Sequence, residues 1–210
     1  MATIKEWKMQ IVRLGIHNKG PRPRTYGTYQ VLHDGVKVDA LSGHVCECIG
    51  PGDTVSMSGH RIPQGPYELW TQFGKYKTIG YRENPSPAGK QPMPALGLRE
   101  PGNPKGVGDR RGILIHPGHP KKAGDVTGLY LSSIGCINLT KALGPADLMD
   151  FVESRARVIA VIKDLQNFAP DAFKDHSNDT PIPGATIVIQ GEPKNILKDD
   201  DAVAVADATS

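Results

Sequence analysis

Cysteine is scarce in this chain. Three thiols, Cys46, Cys48 and Cys136, serve 210 residues. They are too few for a disulfide framework, and Cys46 and Cys48 lie too close in sequence for an ordinary structural bridge. Free thiols from a reducing compartment are expected. Long apolar runs are also missing. No segment approaches the roughly 20 apolar residues of a membrane span, and the opening stretch MATIKEWKMQIVRLG holds no apolar core of signal-peptide length. The reading is a soluble product made in the cytoplasm, with no membrane span. Action in the periplasm or cell wall would then need delivery by a route other than a cleaved signal. Charge of one sign is lacking too. Lys and Arg number 25 against 22 Asp and Glu, a net +3, and Lys121-Lys122 is only a pair. That balance argues against nucleic acid as a partner.

Glycine and proline, by contrast, are plentiful at 24 and 18. Their share stays short of low-complexity disorder, and with 38% hydrophobic residues the chain reads as globular and loop-rich. The expected architecture is mainly β, a β-rich α+β fold with one main helix and long loops. Residues 1–24 read as an N-terminal strand and linker, 25–191 as the principal domain, and 192–210 as a disordered acidic tail. From Thr25 onward apolar residues alternate in short runs, and Asp34-Gly35 between two such runs signals a hairpin. A strand over 44–49 puts His44, Cys46 and Cys48 on one face. Three local ligands at that spacing do not make an established zinc site, so no metal and no cofactor is assigned, and the thiols are taken as small hydrophobes. Residues 82–110, dense in proline and glycine, read as one long loop walling a cleft. A helix is expected from about 144 to Arg155, a buried strand over 157–162, loop over 166–183 and a last strand over 185–189.

Chemistry concentrates in residues 111–143. The apolar run Gly112-Ile113-Leu114-Ile115 ends directly on His116. A turn-rich segment follows, then the run Leu129-Tyr130-Leu131, then Ser133-Ile134-Gly135-Cys136-Ile137-Asn138. One imidazole and one thiol thus stand at the ends of neighbouring strand-like segments, the arrangement a cysteine nucleophile needs. Cys136 is the candidate nucleophile and His116 its base, lowering the thiol pKa through a thiolate–imidazolium pair. Amides around Gly135 and Cys136 would form an oxyanion hole. Ser133, or a carbonyl in the Pro117-Gly118-His119 turn, would orient His116. His119 is an alternative base or a substrate contact. Arg110 and Arg111 are candidates for a substrate carboxylate, and Asn138 for substrate or backbone. Glu47 is placed near the cleft or facing solvent.

His116, a gap of 16 residues and Ser133-x-Gly135-Cys136-Ile137-Asn138 resemble the signature of L,D-transpeptidase catalytic domains. Pro63-Gln64-Gly65-Pro66-Tyr67 resembles the Pro-x-Gly-x-aromatic turn of that family. The fuller layout, with Tyr26-Gly27-Thr28-Tyr29, Met93-Pro94-Ala95-Leu96 and Gly112-Ile113-Leu114-Ile115-His116-Pro117-Gly118, is similar to a small uncharacterised family found in phage and bacterial secretion contexts. The resemblance spans about Thr25 to Lys163. Ile134 stands where the transpeptidases carry a second His. What the resemblance implies is an L,D-transpeptidase-like β-sandwich or barrel and a Cys136 acyl-enzyme with a peptidoglycan stem peptide. Water or an amine would be the acceptor, and a secretion-machine component or an immunity protein a possible partner. The alternative is a non-catalytic module of the same fold that binds cell wall or assembly partners.

Overall fold

The computed structural model describes residues 5–18, 23–81, 92–120, 127–129, 135–140 and 148–196. Strand β1 (Trp7–His17) alternates strictly, with Trp7, Met9, Ile11 and Arg13 turned inward and Gln10 and Val12 outward. A period of two on a half-buried strand does this. It pairs antiparallel with β2 (Arg24–His33), which folds back through Asp34 and Gly35 onto β3 (Val36–Glu47). Asp34 and Gly35 have φ of 50° and 81°, both in the left-handed region that a two-residue hairpin turn requires. The expected Asp-Gly hairpin is therefore present, and the two strands expected at 36–41 and 44–49 are one long strand.

The other edge of β1 is taken, in parallel, by β13 (Pro181–Gln190), with Met9 opposite Ile187. Outward from β13 come β4 (Gly65–Trp70), β7 (Leu96–Arg99) and β8 (Leu114–Ile115); beyond β3 lies β11 (Asn138–Thr140). The result is an eight-stranded sheet ordered β11-β3-β2-β1-β13-β4-β7-β8. Its two ends meet through a parallel bridge between Ile115 and Ile137. His116 N–H donates to Ile137 O at 3.0 Å and Ile137 N–H to Leu114 O at 2.8 Å. The sheet is thus a nearly closed barrel, and the fold is mainly β. Three strands, β9 (His119–Pro120), β10 (Thr127–Leu129) and β12 (Leu148–Asp150), form a small separate sheet, and β5 (Tyr76–Lys77) pairs with β6 (Met93–Pro94).

Helix α1 (Phe151–Phe168) begins at Asp150, whose carboxylate accepts the Glu153 N–H at 3.0 Å, an N-cap that satisfies an otherwise orphaned amide. Val158, Val161, Ile162 and Leu165, spaced for one helical face, have no exposure and join the barrel core with Trp7, Ile11, Leu69, Leu98 and Ile187. This corrects several expectations. Residues 157–162 are mid-helix rather than strand, and the described part of the expected helix before Phe151 is β12. Residues 170–173 form a short 3-10 turn inside the expected loop. Within 82–110, Leu96–Arg99 is a buried strand of the main sheet, because β4 on one side and β8 on the other complete its ladder. The N-terminal strand is not set apart from the domain, since β1 lies in the middle of the sheet. The start of the expected tail is tied down as well: Ile16 N–H donates to Asn195 O at 2.8 Å. Residues 197–210 lie outside the described residues.

Beneath β1 sits a buried ion network. The Arg13 guanidinium grips both Glu47 oxygens at 2.7 and 2.8 Å and reaches Glu192 at 2.9 Å. Arg61 donates to Glu192 and to the Thr25 hydroxyl, each at 2.6 Å. Glu47 is wholly buried, so it faces neither cleft nor solvent. Its planar partner supplies the two-point geometry that makes such burial tolerable. On β3, His44 Nδ1 lies 2.6 Å from the Tyr26 hydroxyl with the rings stacked. Burial, aided by the Arg157 charge, pushes the His44 pKa down to about 4. Among the described residues no three His, Cys, Asp or Glu are grouped to hold a metal.

Candidate active site

The seam that closes the barrel also builds the site. His116 follows β8 directly and Cys136 precedes the bridge residue Ile137, so the two backbone hydrogen bonds of the seam hold both residues on one edge. They line a single cleft of about 200 Å³ with Tyr76, Gly112, Arg111 and Met57 among its walls. His116 is 1% exposed and Cys136 7%. His116 Nδ1 donates to Pro117 O at 2.5 Å, since a carbonyl can only accept; neutral His116 therefore carries its lone pair on Nε2. A turn carbonyl thus orients the imidazole, and it is the one next to His116. The Tyr76 ring stands 5.0 Å from the imidazole, tilted by 40°, and packs with Cys136, Leu114 and Ala95 in a small apolar cluster.

The cysteine itself departs from expectation. Burial pushes its thiol up to about 11, and the Cys48 sulfur adds to this. A hydrogen bond from the Leu114 amide and the Arg110 charge oppose it. Its Sγ points to Gly112 O at 3.6 Å, the contact of a protonated thiol. No preformed thiolate–imidazolium pair is favoured here: desolvation outweighs the two stabilising contacts. Burial likewise pushes the Tyr76 phenol up to about 12, with Cys136 adding to the effect.

Gly135 adopts φ +96°, and a Cβ there would run into the Arg110 guanidinium and crowd His60 O. Only glycine fits this turn. Asn138 is fully buried and donates to His116 O at 2.9 Å, so it braces the backbone of His116 and does not line the cleft. Arg111 is exposed at the rim. Arg110 is 2% exposed, turned away from solvent into a cage of carbonyls, so the two adjacent arginines have different surroundings. Gly118 is buried in the turn between β8 and β9. Ser133 and Ile134 lie outside the described residues, as do Tyr130, Leu131 and the expected helix start at 144–147. For His119 only its backbone pairing with Leu129 is described. Tyr76 escaped the sequence reading because its only local signal is a lone aromatic in a two-residue strand; its role comes from β5 and β6 laying it across the seam.

The chain matches no family model, no curated protein and no solved structure. Among the described residues no helix is long and apolar enough to cross a membrane. What the site holds is a buried thiol and an oriented imidazole at a barrel seam.

Proposed function

We propose that this protein is a cysteine acyltransferase or peptidase of the L,D-transpeptidase type, acting on peptidoglycan stem peptides through a Cys136 acyl-enzyme. The observation that supports it is the seam, where one hydrogen-bonded bridge sets His116 and Cys136 side by side on the same cleft. The substrate's amide carbonyl enters this cleft and the Cys136 proton passes to His116 Nε2 as sulfur attacks the carbonyl carbon. Because the resting thiol is protonated, proton transfer and attack are coupled. Amides at the Gly135–Cys136 turn receive the oxyanion. On collapse the C–N bond breaks and His116 returns the proton to the leaving amine. Water or a second amine then resolves the thioester, giving hydrolysis or transfer. Arg111 receives a stem-peptide carboxylate at the rim. Delivery to the wall by a secretion machine or during phage lysis, with an immunity protein where the producer needs protection, belongs to the same proposal.

Muropeptide mass spectrometry of peptidoglycan incubated with the protein and with Cys136→Ala tests this. New cleaved or exchanged stems from the wild type alone are expected, and their masses name the bond. Burial of the thiol favours a second reading, a non-catalytic module binding cell wall or assembly partners. Identical muropeptide profiles, with both proteins co-sedimenting with peptidoglycan, would establish it.

A further inference from the structure

The guanidinium of Arg110 is buried against the turn that carries the nucleophile. Its Nη1 donates to Asp53 O at 2.9 Å and Arg61 O at 3.2 Å, and its Nη2 to His60 O at 2.7 Å. The Asp53 carboxylate lies 3.5 Å from Nη1. That carboxylate already accepts from the Ser58 hydroxyl at 2.8 Å and pairs with His60 at 2.8 Å, and it is partly open to solvent. Three backbone carbonyls thus fix the plane of the guanidinium, and the Asp53 carboxylate shares its charge. What lies against it is Gly135, whose missing Cβ leaves the space that the guanidinium fills.

We propose that Arg110 is a positioning residue for Cys136: its three-carbonyl cage holds a planar cation against Gly135, fixing the turn that aims the thiol and placing positive charge where sulfur becomes anionic. The inference rests on the cysteine-enzyme reading above. It explains why the residues 53–61, which are remote in sequence from the site, are anchored to it. Their carbonyls are the cage. The direction of the Arg110 effect on the thiol, toward the thiolate, agrees with this placement. Lysine retains the charge but cannot engage three carbonyls in one plane, so charge and cage are separable by substitution.

The test is the pH dependence of Cys136 alkylation by iodoacetamide, a neutral probe, followed by peptide mass spectrometry on the full-length chain from about pH 7 to pH 10. Arg110→Gln is expected to move the profile to higher pH and slow the reaction at about pH 8 by roughly tenfold, one pKa unit's worth. Arg110→Lys is expected to stay within about threefold of wild type in alkylation while losing more than that in muropeptide product, because charge is kept and aim is not. If Arg110→Gln does not fold, the Lys variant alone decides. An Arg110→Gln profile superimposed on wild type overturns the proposal, as does an Arg110→Lys variant with full product formation. If wild type makes no product at all, the enzymatic reading fails, and the alkylation profiles report separately whether Arg110 governs the thiol.

Discussion

At the residue scale two positions carry the site's constraints, Gly135 and Cys136. Gly135 needs both a positive φ and room for Arg110. A left-handed backbone costs a non-glycine residue about 1–2 kcal/mol, and the collision is added to it. Gly135→Ala is expected to lower stability by about 2 kcal/mol or more in urea unfolding, and to abolish product formation even below the melting temperature. Cys136 makes a prediction in the opposite direction of pH from most acidic groups. Its folded pKa is raised from 9.0 to about 11. The stability it lends is therefore fully present below the ordinary thiol pKa and is lost as pH rises from 9 toward 11. Cys136→Ala removes that dependence. The stability gap between wild type and this variant is expected to shrink by about 2 kcal/mol over that interval, read from denaturation midpoints. A constant gap would place the thiol in water. His116 and Cys136 were legible in the sequence because each follows a local signal, an apolar run ending on His and a Gly-Cys turn. Tyr76 was not, and Arg110 was singled out only for a substrate carboxylate, since nothing within their own neighbourhoods records that a short strand pair or a distant loop packs against them.

At the element scale the instructive difference is the segment Arg157-Val158-Ile159-Ala160-Val161-Ile162. Read alone it is a run of β-branched residues, which favour strands. Read over Phe151 to Phe168 it places Phe151, Ser154, Arg155, Val158, Val161, Ile162 and Leu165 on one buried face, at the three- and four-residue spacing of a helix. Packing overrides a propensity worth only tenths of a kcal/mol per residue. The short strand β7 was hidden for the converse reason: the barrel's ladder, more than its own composition, holds Leu96–Arg99 extended among prolines and glycines, whereas β8 was legible as the apolar run that ends on His116. Leu165 tests the helical assignment. It is fully buried against the barrel, while Gln166 and Asn167 are not. Leu165→Ala is expected to cost about 2–5 kcal/mol and Asn167→Ala close to nothing, checked by urea midpoints at unchanged slope. A strand would bury alternate residues, and the two substitutions would then not separate in this way.

At the scale of the whole molecule the sheet closes twice. One closure is the seam that holds the site. The other is electrostatic: Glu192, just past β13, joins Arg13 on β1 to Arg61, and its Oε2 also accepts the Gly52 N–H at 3.2 Å. Arg61 belongs to the same carbonyl cage that holds Arg110, so this network reaches within one residue of the site's support. Burial pushes the Glu192 carboxyl up, but the Arg61 hydrogen bond and charge, the Gly52 amide and the Arg13 charge together hold it below the usual glutamate value. A carboxylate depressed in this way lends stability that is present above its ordinary pKa and lost as pH falls through the folded value. Glu192→Gln should be less stable than wild type at neutral pH, where two buried guanidiniums lose their shared anion. The difference should close on acidification, as wild type protonates the same group. Urea midpoints for both proteins from neutral pH down to about pH 3.5 measure it. Converging curves place Glu192 as the carboxylate that ties the C-terminal end of the barrel to β1, and the Cys136 alkylation rate should slow in parallel if the Arg61 carbonyl shifts with its side chain. Curves that run parallel across the range would mean that Glu192 does not balance these guanidiniums and that Glu47 suffices for Arg13.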